Sequence, residues 1–300
     1  MRVAVTGATG MIGHAVVEEL TGRGDEVTAL SRSAAGAGLG VETLEWRDPK
    51  AGPPPAEALR GRDAVVHLLG ETVAQRWSDR ARREIRESRV LSTRHLVAAL
   101  GELPDGERPR VLVSQSAAGW YGPRGDERLG EEEPAGRDFL AGVVRDWEAE
   151  ARRAEEHGIR VAMTRTGMVL SQQGGALARM MPFFKLGIGG PVAGGAHYVP
   201  WMHLDDVAGA IAFCIDTDEA RGPINVTAPE PATNRDFSKA LGRVLRRPAF
   251  APVPALAVRA LYGEMASIVT TGQRAVPSRL RELGYAFRRP ELEEALRSVT

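Results

Sequence analysis

Three hundred residues carry 39 Lys and Arg against 39 Asp and Glu, with 43% hydrophobic and 26% charged side chains. A chain of this length can bury a large core, in one large domain or two unequal ones, and its balanced charge argues against nucleic acid or an anionic membrane as partner. The lone cysteine, Cys214, excludes a disulfide framework and a Cys-based zinc site, so no metal is expected, and no apolar run reaches the roughly 20 residues of a membrane span.

Val3 to Val5 is a short apolar run that breaks at once into Thr6-Gly7-Ala8-Thr9-Gly10-Met11-Ile12-Gly13, after which Ile12, Val16, Val17 and Leu20 recur at helical spacing. The chain therefore starts on strand and turn, and the expectation is a cytoplasmic protein without a signal peptide. A strand that turns tightly into a helix leaves the first helical N–H groups unpaired at the positive end of the helix dipole, a ready phosphate site. Gly7 suits the turn, Gly10 lets a pyrophosphate approach, and Gly13 lets the helix pack on the strand. Thr6, Gly7, Thr9, Gly10, Met11, Ile12 and Gly13 are thus the expected dinucleotide cradle. A Gly-rich turn that merely connects is the other reading.

Glu26 to Leu30 reads as a second strand ending at Ser31-Arg32-Ser33. An acid there would hold the 2′-hydroxyl of NAD. Here Ser31 and Arg32 can instead donate to a 2′-phosphate, which favours NADP(H). The alternative leaves Arg32 as a solvated loop residue. Val41 to Trp46 is a third strand, and Asp63 to Gly70 a fourth, apolar throughout as in a sheet covered on both faces. Its end at Leu69-Gly70-Glu71 should lie beside the cofactor, with His67 as a packing histidine.

Residues 79–100 form a long amphipathic helix whose arginine-rich outer face reads as solvated. A second copy of the chain could pair along it, which makes a homodimer a candidate. Arg110 to Gln115 is the fifth strand, 137–157 a further helix, and Ile159 to Thr164 the sixth strand. Strand and helix alternate throughout, the pattern of an α/β, doubly wound parallel sheet. From about residue 171 glycines interrupt a stretch holding Phe183, Phe184 and Trp201, read as walls of a substrate pocket. Asp205 is expected to cap the next helix, and His203 is either a pocket residue or a loop anchor. The division is 1–170 as an NADP(H)-binding domain, with 204–228 returning to it, and 171–203 plus 229–300 as a smaller substrate lobe and C-terminal module.

Several of these segments resemble the extended short-chain dehydrogenase/reductase superfamily: the glycine turn, Asp63 to Leu68, Ser114-Gln115-Ser116 with Trp120-Tyr121-Gly122, and His203-Leu204-Asp205-Asp206. More narrowly, Ser116 to Gly122, Arg165 to Leu170, Leu186 to Pro191 and Gly272 to Pro277 are similar to its atypical epimerase-family branch. That branch includes bacterial nucleoside-diphosphate-sugar epimerase-like proteins and the human family 39U member. The likeness covers nearly the whole chain.

The resemblance implies a Rossmann-type fold with NADP(H) along the first two strand–helix turns, and adds Arg165 to the cofactor candidates. Typical members carry a Tyr, and a Lys four residues later, on the helix after strand five. The Tyr moves the proton and the Lys lowers its pKa and holds the nicotinamide ribose. Here Leu140 and Val144 stand in those places, and Arg89 stands near a supporting Asn. Ser116 matches the catalytic serine. Tyr121, with Gly125 rather than Lys four residues on, is the candidate proton donor, against a reading as a loop-packing aromatic. Two functions follow: an NADP(H)-dependent oxidoreductase or epimerase-like enzyme acting on a small polar or nucleotide-linked substrate, or a non-catalytic NADP(H)-binding sensor.

Overall fold

The computed structural model describes residues 1–33 and 38–300. Its centre is a seven-stranded parallel sheet of β1 (Arg2–Thr6), β2 (Glu26–Ser31), β3 (Glu42–Glu45), β4 (Ala64–His67), β5 (Val111–Ala117), β6 (Arg160–Thr166) and β7 (Gly222–Val226). The spatial order is β3-β2-β1-β4-β5-β6-β7. The winding reverses between β1 and β4, and the crevice at such a reversal is where ligands of open parallel sheets lie. The register brings the strand ends together: Thr6 stands opposite both Leu30 and His67, and His67 opposite Ser114.

Helices α1 (Met11–Gly22), α2 (Asp79–Glu102), α3 (Phe139–Arg152), α4 (Gly175–Lys185), α5 (Leu204–Asp216) and α6 (Asn234–Leu245) follow in chain order. Successive strand residues point to opposite faces, and both faces are apolar. Val3, Val5, Val66, Val113 and Ile224 meet Val16, Leu20, Ile211 and Ile215 of α1 and α5. Ala4, Val65, Leu112 and Met163 meet Leu96, Leu100 and Ala151 of α2 and α3. Each fully buried Val, Leu or Ile contributes about 1.5–3 kcal/mol, which is why the apolar run of β4 specifies a central strand.

Four expectations are corrected. The helix expected over 137–157 ends at Arg152 and tightens into a 3₁₀ turn, Arg153–His157, that Gly158 closes at φ 75°. The fifth strand continues to Ala117, so Ser116 lies in the sheet and not in the loop after it. The arginines of α2 are not simply solvated: Arg86 pairs with Asp146 at 2.6 Å, Arg94 with Glu150 at 2.5 Å, and Arg82 with Glu264. Phe184 and Trp201 do not line a pocket. They are buried with Leu170, Leu177, Phe237 and Leu296 in a third cluster, leaving Phe183 half exposed.

The C-terminal segment is stitched to the sheet. The buried carboxylate of Asp206 accepts the backbone N–H groups of Arg288 at 2.7 Å and Arg289 at 2.8 Å and the Tyr285 hydroxyl at 3.1 Å. His203, not Asp205, caps α5: its Nδ1 accepts the Asp205 N–H at 3.1 Å while Nε2 lies 3.1 Å from the Ser298 hydroxyl. It is therefore a loop anchor. Among the described residues no helix is long and apolar enough to cross a membrane.

Candidate functional site

The turn after β1 is shaped by what its glycines lack. Gly7 sits at φ 69°, and a Cβ there would lie 3.0 Å from the backbone of Leu68. At Gly13 a Cβ would meet the Gly7 carbonyl oxygen at 2.2 Å and the Ala8 Cα at 2.7 Å, so turn and helix can approach only without a side chain. At Gly10 the nearest neighbour would be the Gly7 oxygen at 3.3 Å. The space a larger side chain would fill opens outward. Gly10 caps α1 with no side-chain hydrogen bond, which leaves first-turn N–H donors facing that space. Thr9 is exposed beside it, and Met11 and Ile12 are half-buried. The sulfur of Met11 lies 3.9 Å from the site of a Gly174 Cβ, so the start of α4 borders the same opening. A cradle closed to side chains and lined with free N–H donors fits a pyrophosphate.

Thr6 does not face this opening. It is fully buried, its hydroxyl is 2.8 Å from His67 Nδ1, and it accepts the Leu68 N–H at 3.2 Å. The other ring nitrogen of His67 is 3.0 Å from the Thr93 hydroxyl. Burial pushes the His67 pKa down to about 3, so the ring is a neutral link between β1, β4 and α2. Thr6 thus joins strands through its side chain, which is buried away from the opening.

Ser31 ends β2 and its carbonyl accepts the Trp46 N–H at 2.8 Å. Arg32 follows, exposed and, among the described residues, without a carboxylate partner. On the other side of the glycine turn, Leu69 packs into the core beneath α2, while Gly70 and Glu71 are exposed and the Glu71 N–H donates to the Ser88 hydroxyl at 2.9 Å. Arg89 lies against this turn. Its guanidinium is 5.3 Å from the centre of the Trp147 ring, and Nη1 donates to the Ile85 carbonyl at 2.9 Å. The resemblance already put Arg89 on α2 near the place of a supporting Asn; its contact with Gly70, 19 residues away in the chain, is set by the fold.

Ser116, Tyr121 and Arg165 are brought together, but inside the protein. The Ser116 hydroxyl donates to Glu148 Oε1 at 2.6 Å, and Arg165 grips the same carboxylate through Nε at 2.8 Å and Nη2 at 2.9 Å. Arg165 Nη1 donates to the Tyr121 hydroxyl at 3.2 Å and the Glu131 carbonyl at 2.9 Å, and its guanidinium stacks 3.9 Å over Trp120. The Tyr121 hydroxyl is 2.7 Å from Asn225 Oδ1 and 3.0 Å from the Gly130 carbonyl. Arg165, Glu148 and Ser116 are each only 2% exposed, and Tyr121 is fully buried. Burial pushes the Tyr121 pKa up to about 12, against the opposing pull of Arg165.

Three expectations change accordingly. Arg165 spends its donors on Glu148, Tyr121 and Glu131 inside the protein. Tyr121 packs the loop, and its raised pKa is opposite to what proton transfer near neutrality needs. Ser116 positions Glu148. Glu148 and Asn225, which no sequence motif singles out, complete the network. Leu140, at the place where a Tyr was sought, faces the turn at Gly119, and Val144 is buried. Cys214 is buried and its thiol is pushed up to about 12, a structural residue.

Comparison with known proteins covers the chain from end to end. The profile of the NAD dependent epimerase/dehydratase family matches residues 3–227, and a domain of unknown function (DUF1731) matches 253–299. The chain is 38% identical over 310 residues to the chloroplastic epimerase family protein SDR39U1 homolog of Arabidopsis thaliana, covering 100% of this chain and 86% of that one. It is 35% identical over 304 residues to the epimerase family protein SDR39U1 of Homo sapiens, covering 100% and 99%. A crystal structure of the human epimerase family protein SDR39U1 (isoform 2) with NADPH superposes with a TM-score of 0.90 at 34% identity, covering 100% and 99%.

Proposed function

The chain belongs to the NAD dependent epimerase/dehydratase family, and from that premise we propose that it is an NADP(H)-binding oxidoreductase or epimerase-like enzyme acting on a small polar or nucleotide-linked substrate. The observation that carries the cofactor is the cradle of Gly7, Gly10 and Gly13 at the start of α1, with exposed Arg32 at the end of the neighbouring strand. The NADPH held by the human relative supports this choice over NAD. First-turn N–H groups of α1 would receive the pyrophosphate, and Arg32 with Ser31 the 2′-phosphate.

When bound, the nicotinamide gives or takes a hydride. The Gly70–Glu71 turn and the loop that opens α4 would hold it. Residues 171–203 and 229–300 would hold the substrate above it. The proton of the reaction comes from water or the substrate, since Ser116 and Tyr121 are committed to Glu148 and Asn225. The lone buried thiol suits the reducing cytoplasm.

A second reading, a cofactor sensor without turnover, is favoured by that same commitment. NADPH oxidation followed with a panel of keto and aldehyde sugars and their nucleotide conjugates separates the two. Oxidation with any member, retained in Tyr121→Phe, supports the enzyme with an external proton source. Cofactor binding without oxidation across the panel favours the sensor.

A further inference from the structure

We propose that Arg89 holds the nicotinamide-side ribose and phosphate of the dinucleotide, as the counterpart of Arg32 at the adenosine end; this rests on the NADP(H) reading above. Strands β2, β1 and β4 are neighbours in the sheet, and at their carboxyl ends stand Arg32, the glycine turn and Gly70 respectively. The last two turns touch, since a Cβ at Gly7 would lie 3.0 Å from the Leu68 carbonyl carbon. A dinucleotide with its pyrophosphate on α1 and its 2′-phosphate at Arg32 therefore carries its second ribose toward Gly70.

The Arg89 guanidinium lies at that point. A Cβ at Gly70 would meet its Cζ at 2.8 Å and its Nη2 at 2.9 Å, so the missing side chain is what lets the guanidinium reach the exposed turn. Trp147 backs its ring-facing side. Guanidinium offers five N–H donors, and among the described residues this one spends a single bond, to the Ile85 carbonyl. Among the described residues it has no carboxylate at ion-pair distance. Burial draws its pKa down to about 10, with Glu71 acting in the opposite direction, so it keeps its charge at neutral pH. A shielded cation with idle donors fits a phosphate oxygen and a ribose diol, which accept from the planar fork in pairs.

The test is to titrate the parent, Arg89→Gln, Arg89→Lys and Gly70→Ala with NADPH and, separately, with adenosine 2′,5′-bisphosphate, which lacks the nicotinamide half. Binding is read by fluorescence and calorimetry, and ligand-free thermal unfolding checks the fold. Arg89→Gln should weaken NADPH about ten- to a hundredfold and leave the bisphosphate unchanged, with Arg89→Lys recovering part of the loss. Gly70→Ala, whose methyl displaces the guanidinium, should behave like Arg89→Gln. Unchanged NADPH binding in Arg89→Gln, or equal loss of both ligands, overturns the assignment. A parent chain that binds neither ligand overturns the NADP(H) reading itself, whatever Arg89 does.

Discussion

At the scale of single residues, glycine and histidine geometry makes the sharpest predictions. Gly13→Ala places a methyl 2.2 Å from a backbone oxygen that cannot step aside. It should lower stability by about 1–3 kcal/mol in denaturant titrations and abolish NADPH binding with it. Gly10→Val meets no comparable obstacle within the protein. Its unfolding midpoint should stay near the parent's while NADPH binding is lost, and retained binding would show that the pyrophosphate lies elsewhere. Arg32→Ala should weaken NADPH far more than NADH, because only the former carries the 2′-phosphate; equal losses would remove Arg32 from that role.

His67 gives a pH prediction. Its folded pKa, about 3, lies below the roughly 6.5 of an unfolded chain. Above pH 6.5 both states are neutral and the residue adds no pH dependence. As pH falls from about 6.5 toward 3 the unfolded state takes up a proton that the folded state refuses, so stability drops by up to about 1.4 kcal/mol per pH unit. Thermal unfolding from pH 7 to pH 4 should show a shallower decline in His67→Gln than in the parent. The residual slope includes His203 and His197, whose pKa values burial also lowers.

At the scale of elements, β5, β6 and α3 are bound by one ionic cluster. Glu148 lies on α3, Arg165 on β6 and Ser116 on β5. Burial opposes the Arg165 charge, but the bidentate bonds to Glu148 outweigh it and hold its pKa above the usual value. Arg165→Met leaves a buried carboxylate with only Ser116 as donor. It should cost about 3–5 kcal/mol, read as a lower unfolding midpoint. Cofactor binding measured well below that midpoint should persist, since the groups of the cluster are bonded to one another inside the protein. Ser116→Ala removes one donor from the same carboxylate and should cost about 1–3 kcal/mol.

At the scale of the whole molecule, the region matching the domain of unknown function is not an appendage. Asn225 on β7 donates to the Val276 carbonyl at 2.9 Å, and the Arg279 N–H donates to buried Glu131 at 3.1 Å. Together with the three bonds to Asp206, these contacts place carboxylates and amides of the nucleotide-binding part under the C-terminal segment. Asp206→Ala should therefore lower stability by about 3 kcal/mol without a direct effect on the glycine turn. A chain ending at residue 252 should fail to accumulate as folded protein. Recovery of that truncation as a stable NADPH binder would show that the segment serves substrate alone.

The sheet and its helices were legible because each is a local pattern. Apolar runs of β1, β4 and β5, the 3.6-residue spacing of α1 and α2, and the glycine turn between strand and helix are properties of neighbouring residues, and they fixed an α/β fold with a dinucleotide site. The absence of a Tyr and Lys from α3 could be read the same way, from Leu140 and Val144. What only the tertiary structure decided is which polar groups were free to act. Ser116, Tyr121 and Arg165 look like chemistry in sequence, yet they are consumed by Glu148 and Asn225, 32 and 104 residues from Ser116 and Tyr121 respectively. Arg89 reads in sequence only as standing near the place of a supporting Asn, and folding sets it against Gly70 with N–H groups beyond its bond to Ile85. Desolvation and partner choice depend on every element packed around a group, and that neighbourhood exists only once the chain has folded.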